Sequence, residues 1–395
     1  MSGVLKGIRV LDFGRYIAGP YCAALLAEHG ADVIRIEKRE GSEDRFVAPI
    51  TETQDGALFM QMNRNKRGMT LNPMAPEGQE IIRKLVATAD VVVANLPPQT
   101  LQSMKLDYDS LRAVKPDIIL TTVSAYGRGG PYSDRVGFDG IGQVMCGSVY
   151  MTGEEAGPPY RAQVAWVDFG TALHCAFGTM MALEARRQTG KGQIVEGALL
   201  ATAVTLGNAL LIEQAVIAPD RVPTGNRGQT AAPVDIFQTR DGWILVQVIG
   251  DPLYRRWAKL MGEDHWLTDP RFKDDISRGD NGAIISERMS RWCKDYTSAE
   301  AIEILGKAKI PSGPVLKPQQ TLDDPHIEKV GYFQKIDYPG MARPAPVAKA
   351  PVWLSETPGG IRHRPPTLGE HTDAIMRELG YGAGDIAALR EQKVI

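Results

Sequence analysis

The chain of 395 residues has four cysteines, six histidines and no surplus of either charge. Cys22, Cys146, Cys175 and Cys293 lie far apart with no CxxC pair, which argues against a disulfide framework or a thiolate metal site and for a reducing compartment. His29, His174, His265, His326, His363 and His371 show no HxxxH or HExxH spacing, so no metal site is expected. The 45 Lys and Arg residues nearly balance 47 Asp and Glu, for a net charge of −2. The basic footprint of a nucleic-acid or anionic-membrane binder is therefore missing. No uninterrupted apolar run reaches the roughly 18 residues that span a bilayer, and MSGVLKGIRVLDF lacks a secretory apolar core. The expectation is a cytoplasmic protein without metal, membrane or nucleic-acid partners.

What is present is a regular alternation. GIRVLDF (7–13), ADVIRIE (31–37), ADVVVAN (89–95) and DIILTTV (117–123) read as strands, with helices at 20–28 and 77–88 between them. Strand–helix–strand repetition predicts an open, doubly wound parallel sheet in an α/β fold. A long helix follows Asp168 to about Arg187, and a second covers roughly 196–217. The Gly- and Pro-rich stretch 218–232 reads as a linker, and VDIFQTRDGWILVQV (234–248) as a hairpin about Asp241-Gly242. Helices near 252–262, 284–296 and 298–307 complete a smaller α+β unit. The predicted organisation is a large domain over 1–217, completed by a helical tail in 368–395; a linker at 218–232; a small domain at 233–336; and a proline-rich return linker at 337–367.

Candidate chemistry is sparse. Glu37 ends the second strand as a ribose-binding acid would, but the first turn reads GRYIAGP, without the G-x-G-x-x-G spacing a pyrophosphate needs. Lys38, Arg39, Arg45, Lys66, Arg67 and Arg135 follow strands or Gly-rich turns and suit a ligand with several phosphates. TGKGQ (189–193) lacks the phosphate-loop frame and reads as a helix-ending turn. Asp168 is the only carboxylate in the apolar run 161–183, placed where a β-like stretch gives way to helix. It suits an N-cap, or a nucleophile held on a helix end. His174, six residues on, falls some 240° round the helix at about 100° per residue, so it is read as a core or interface histidine and not a base for Asp168. A carboxylate of ordinary pKa is ionised without a partner base, and a helix N-terminus favours the anion further. A lone Asp can attack a thioester carbonyl to form an anhydride.

The chain resembles the class III CoA-transferases, the carnitine CoA-transferase and formyl-CoA transferase family, almost from end to end. The resemblance is carried by LDFGRYIAGPYCAALLAEHGADVIRIEKREGSEDR (11–45), NRNKRGMTLN (63–72), ADVVVANLPP (89–98), GFDGIGQVMCG (137–147), the block from Asp168 to TGKGQ, KIPSGPV (309–315) and LGEHTDAIMRELGY (368–381). It implies a Rossmann-like large domain and a small domain, in a homodimer of interlocked rings whose linkers thread the partner. It implies Asp168 as the nucleophile and CoA thioesters as substrates, with no tightly bound cofactor. By the family's mechanism, an acyl-CoA donor gives an Asp168 anhydride and CoA thiolate. The thiolate then forms an aspartyl-CoA thioester, and a free carboxylic acid takes up the CoA by the reverse steps. Carried over by position, the CoA site comprises Ile17, Ala18, Lys38, Leu71, Asn72, Pro73, Met74, Asn95, Leu96, Arg135, Val136, Gly137 and Phe138, with Arg15 near the acyl group and able to pair with a second substrate carboxylate.

Two departures bear on substrate. Lys38 stands where formyl-CoA transferase has Arg, giving a point charge in place of a fork. TGNRGQTAAP (224–233) lacks that enzyme's glycine run, which argues against oxalate and formyl-CoA. The α-methylacyl-CoA racemases share the fold but need a histidine in a GHD motif; here the triplet is Gly137-Phe138-Asp139, and phenylalanine cannot move a proton. A non-catalytic CoA-binding protein is the remaining alternative, and the intact Asp168 argues against it.

Overall fold

The structure, a computed structural model, describes residues 3–395. Six parallel strands form the main sheet: β1 (Arg9–Asp12), β2 (Asp32–Glu37), β3 (Lys66–Thr70), β4 (Val91–Ala94), β5 (Ile119–Ser124) and β6 (Ile194–Ala198), in the order β3-β2-β1-β4-β5-β6. This is the order of a doubly wound sheet, with its topological switch between β1 and β4. The strands are covered on both faces, so neighbouring residues point into different cores. Leu11, Ile34, Val92 and Leu120 pack on one side, and Val10, Val33, Val91, Val93 and Ile119 on the other.

Helices between the strands supply the covering layers. They are α1 (Ala18–Glu28), α2 (Ala57–Met62), α3 (Pro76–Thr88), α4 (Pro98–Ser103), α5 (Tyr108–Val114), α6 (Asp139–Met145), α7 (Trp166–Thr189) and α8 (Leu199–Ile217). Ile81, Ile82, Leu85 and Val86 of α3 form the inward stripe that their spacing predicts. α1 and α7 lie against each other beneath the other face. The α7 C-terminus is closed by Gly190, whose φ of +70° is the left-handed conformation that TGKGQ supplies.

Two compact units emerge, one formed by the chain up to Cys146 with Ala162–Ile212 and Lys329–Ile395, the other by Gly147–Arg161 and Glu213–Glu328. The second unit holds an antiparallel sheet of β7 (Val234–Gln238), β8 (Trp243–Gln247) and β9 (Ser312–Pro314), with β7 and β8 joined by the expected turn at Asp241-Gly242. Around it lie α9 (Asp251–Met261), α10 (Asp275–Asp280), α11 (Gly282–Cys293), α12 (Ser298–Lys307) and α13 (Pro318–Leu322), over a core built on Trp257, Tyr254 and Phe272. α14 (Pro325–Val330) ends this stretch of chain. Residues 147–161 join this unit through the Gly225 N–H, which donates to the Gly153 carbonyl at 2.7 Å.

Several sequence expectations change. β3 (KRGMT) and β6 (IVEGA) were not expected as strands; β3 is an edge strand whose Lys66 is buried against an acid, and β6 runs straight into α8. Within 337–367 the chain forms β11 (Ala345–Ala348), paired antiparallel with β10 (Phe333–Ile336) and packed on Phe59 and Met60 of the first unit. The terminal tail is two helices, α15 (Thr372–Glu378) and α16 (Ala383–Glu391), whose Ile375, Met376, Ile386 and Leu389 join the core beside Leu11. Residues 161–165 are not a strand. α8 is interrupted by Asn208, Glu213 and Gln214 but is apolar on average. Among the described residues it is the one helix long and apolar enough to cross a membrane by length and composition, and only 11% of its apolar window is buried.

Candidate active site

In a parallel sheet all strand C-termini open on one edge, and ligands gather where the strand order reverses. Ile17 and Ala18 follow β1, Lys38 follows β2, Leu71 to Met74 follow β3, Asn95 and Leu96 follow β4, and Arg135 to Phe138 lie in the loop after β5. The fold thus brings every residue expected at the CoA site to the same edge. Their availability differs. Leu71 is fully enclosed in the main core and Ala18 is buried, so only their backbones can meet a ligand. Ile17, Pro73, Leu96 and Gly137 are half-buried, and Asn72 is exposed, its side chain accepting the Met74 N–H at 3.1 Å. Met74, Val136 and Phe138 are well exposed. Lys38 is exposed and paired with Glu43, and the Arg135 guanidinium lies 4.1 Å over the Tyr132 ring.

At the switch point Asn95 ties the loop after β1 to the end of β4. Its Oδ1 accepts the Arg15 N–H at 2.6 Å and its Nδ2 donates to the Arg15 carbonyl at 2.9 Å. The Arg15 guanidinium is turned inward and donates to the carbonyls of Phe13 at 2.9 Å and Gly14 at 2.7 Å. Burial, with Arg35 nearby, lowers its pKa to about 10. One edge of the Arg15 guanidinium, expected from sequence to face a second substrate carboxylate, is thus engaged by backbone carbonyls.

The other basic candidates for phosphate binding are largely engaged as well. Arg45 is buried between Glu37 and Asp55, donating at 2.6 and 2.7 Å, with its guanidinium 3.8 Å over Phe59. Lys66 donates to Asp12 at 2.7 Å, and burial brings its pKa down to about 8. Arg67 bridges Asp32 and Glu378, and Arg39 lies 3.8 Å from Glu40. Glu37 is likewise consumed by Arg45 and is no ribose ligand. Removing one member of a buried network leaves the others charged and unpaired. Arg45→Ala is therefore expected to lower unfolding stability by about 3–5 kcal/mol, measured by urea denaturation. A cavity of about 480 Å³ at the start of β3 is lined by Arg67, Arg362, Arg364 and His371 among others. Its arginines too are held, Arg362 by the α1 carbonyls of Ala27 and Glu28 and Arg364 by Glu370.

Asp168 sits in the first turn of α7, whose N-terminal flanking residue is Ala165. It is not the cap. That role belongs to Asp139, at the start of α6, whose Oδ1 accepts the N–H of Val167 at 2.8 Å and of Asp168 at 3.1 Å. The other Asp139 oxygen accepts from the Gln143 amide, and Gln143 Oε1 accepts the Ala162 N–H at 2.9 Å. Close approach of α6 to α7 requires Gly142, where a Cβ would lie 2.8 Å from Val167 Cγ1. The helix end is thus occupied by a second carboxylate.

Asp168 itself is 8% exposed. Among the described residues no side chain donates a hydrogen bond to its carboxyl, and none of its oxygens is a sealed, unpartnered atom. Burial, reinforced by the negative field of Asp139, raises its pKa to about 7. The expectation of a fully ionised acid favoured by the helix is corrected: near neutrality the group is poised between its two forms. His174 is exposed beside Leu173 and Phe177, so it is not a core residue. Asp139, Gln143 and Tyr16 were not read as site residues. Only the GFD triplet drew attention to Asp139, because a cap supplied from 29 residues earlier has no local spacing signal.

The site is thus a buried carboxyl without a basic partner, at the start of α7, the long helix between β5 and β6 of a doubly wound sheet. The family model of CoA-transferase family III matches residues 5–372, and the chain belongs to this family and is a CoA-transferase. It is 31% identical to the succinyl-CoA–D-citramalate CoA-transferase of Chloroflexus aurantiacus over 400 residues, covering 99% of this chain and 98% of that one. It is 33% identical to the succinyl-CoA–L-malate CoA-transferase beta subunit of the same organism over 397 residues, with 99% and 98% covered. A solved CAIB/BAIF family protein from Brucella suis superposes with a TM-score of 0.83 at 30% identity, covering 96% of this chain and all of that one.

Proposed function

We propose that the enzyme moves CoA from an acyl-CoA donor to a free carboxylic acid through an aspartyl-CoA thioester on Asp168. An oxygen of the Asp168 carboxylate adds to the donor thioester carbonyl and the C–S bond breaks, giving a mixed anhydride and CoA thiolate. The thiolate attacks the aspartyl carbonyl and releases the donor acid as its carboxylate. The acceptor carboxylate then adds to the aspartyl-CoA carbonyl, expelling thiolate. Thiolate attacks the acceptor's acyl carbon, which yields the new acyl-CoA and frees Asp168. The overall exchange of one CoA thioester for another is split into successive acyl transfers, each easier than a direct exchange, which is what covalent catalysis offers.

The observation that carries this reading is the setting of Asp168: largely enclosed, unpaired, and with a raised pKa. A more basic carboxylate is a stronger nucleophile, and no base has to deprotonate it at pH 8. In this reading Ile17, Ala18, Leu71, Asn95 and Gly137 present backbone along the CoA, while Lys38 and Arg135 meet its phosphates. The test is exchange of labelled carboxylic acids into their own CoA thioesters across a panel of acids. Exchange with some of them, absent in Asp168→Ala, supports the proposal; exchange that survives the substitution rejects it.

The proposal extends to a cytoplasmic homodimer in which 218–232 and parts of 337–367 act as linkers threading the partner. Its support is the apolar surface left open on the first unit, namely Leu173, Phe177 and Met181 of α7 with Leu206, Leu210 and Ile212 of α8. Leu173, Phe177 and Met181 recur at intervals of four on α7, and Leu206 and Leu210 do so on α8, so each helix turns an apolar stripe outward, as an interface requires. Phe177→Glu combined with Leu206→Glu is expected to convert a dimer to monomers in light scattering. A wild-type protein that is monomeric at all concentrations contradicts this part.

A further inference from the structure

We infer that Tyr16 and Phe138 form an aromatic wall of the acyl site that selects thioesters with apolar acyl chains over those bearing a second carboxylate. The inference rests on the CoA-transferase reading with Asp168 as nucleophile, and goes beyond it to the class of acyl group.

Tyr16 has a φ of +61°, a region that a bulky L-residue adopts only when its surroundings impose it. The surroundings do so from the preceding side. Asn95 grips both the N–H and the carbonyl of Arg15, the Gly14 carbonyl accepts from the guanidinium groups of Arg15 and Arg35, and the Gly14 N–H donates to Asp12 at 2.8 Å. Non-glycine strain of this kind concentrates at functional sites. Its result here is that the Tyr16 ring meets Phe138 edge to face, with centroids 5.5 Å apart at 85°.

Phe138 is 65% exposed, so the pair is a surface and not a core contact. The next residue in the chain, Asp139, accepts the N–H of Asp168, so Phe138 adjoins the residue that anchors the turn carrying the reacting carboxyl. Val136, exposed on the same loop, extends the apolar lining.

Charge points the same way. The raised pKa of Asp168 comes from burial and from the carboxyl of Asp139, with no cation among its causes. Arg15, the cation of the loop, is bonded to the carbonyls of Phe13 and Gly14. A distal carboxylate on the acyl group would meet like charge without a partner, whereas a hydrocarbon chain would meet aromatic faces.

The experiment measures kcat/KM for exchange of labelled acetate, hexanoate and succinate into their own CoA thioesters. It uses wild type, Tyr16→Phe, Tyr16→Gly and Phe138→Ala. Glycine accepts the positive φ, so Tyr16→Gly removes the ring without adding strain. Wild type is expected to favour hexanoyl-CoA over succinyl-CoA by at least about tenfold, the order of effect a few methylenes exert in an apolar pocket. Tyr16→Gly and Phe138→Ala should lose at least about tenfold on hexanoyl-CoA and far less on acetyl-CoA, while Tyr16→Phe keeps the preference. A wild-type preference for succinyl-CoA, or equal losses on acetyl-CoA and hexanoyl-CoA, overturns the inference but leaves Asp168 chemistry standing. Absence of exchange with every acid, and of any adduct on Asp168, overturns the CoA-transferase reading and the inference with it.

Discussion

Asp168→Asn is expected to abolish CoA transfer and to make the protein more stable at neutral and alkaline pH. Loss of the nucleophile should lower kcat by about 10⁴-fold or more, the scale on which acyl-transfer enzymes respond to such a loss. The stability gain follows from the sign of the pKa shift. Folding raises the Asp168 pKa from 3.8 to about 7, so between these values the folded state holds a proton that the unfolded state has released. Wild-type stability therefore falls as pH rises through this window and levels off above it. At about 1.4 kcal/mol per unit, the ionised carboxylate costs the fold about 4 kcal/mol above pH 7. Asparagine removes that cost. Urea denaturation should show wild type and variant alike near pH 4, diverging up to pH 7 and separated by a constant amount beyond. Equal stability at pH 8 would mean that Asp168 is not buried as a charge.

The second large effect concerns Asp139, and two substitutions divide its roles. Asp139→Ala removes the cap and leaves the Val167 and Asp168 N–H groups without their acceptor. Losing a cap costs about 1–2 kcal/mol. The turn that carries the nucleophile is also released, and misplacement by about 1 Å can lower kcat roughly 100-fold. Asp139→Asn keeps an oxygen that accepts both N–H groups and deletes the negative charge, at the cost of the acceptor for the Gln143 amide, a loss of about 1–3 kcal/mol that leaves the turn in place. In wild type kcat/KM should fall tenfold per pH unit below about pH 7, because the protonated carboxyl does not attack. In Asp139→Asn that acid limb should move to lower pH, yet stay above the ordinary carboxylate range because burial, the larger cause, remains. An unmoved limb would show that Asp139 acts only as a cap.

Much of the large domain was legible because strands covered on both faces are dominated by apolar residues, as in VLDF, VIRIE, VVVA and IILTTV. β3 was not, since its Lys66 and Arg67 find their acids on other segments, Asp12 and Asp32. β6 was not, because five residues before a long apolar helix carry no boundary of their own. The same non-local pairing misled the reading of the cations: Arg45 looks like a phosphate ligand until Glu37 and Asp55 are seen around it. Asp168 could be singled out from its lack of a basic neighbour. Its charge state could not, since that depends on burial and on a carboxylate brought in by α6. The proline-rich 337–367 segment read as a linker because prolines exclude helix, but they do not exclude an edge strand such as β11.

The most direct test of the central claim is to mix the enzyme with an acyl-CoA that it exchanges, quench with hydroxylamine, and map the modified residue by peptide mass spectrometry. Hydroxylamine converts an activated aspartyl carbonyl, whether anhydride or thioester, to a stable hydroxamate. The account predicts a single hydroxamate, at Asp168, that appears only with the acyl-CoA. Exchange that proceeds with an unmodified Asp168, or a hydroxamate on another carboxylate, would contradict it.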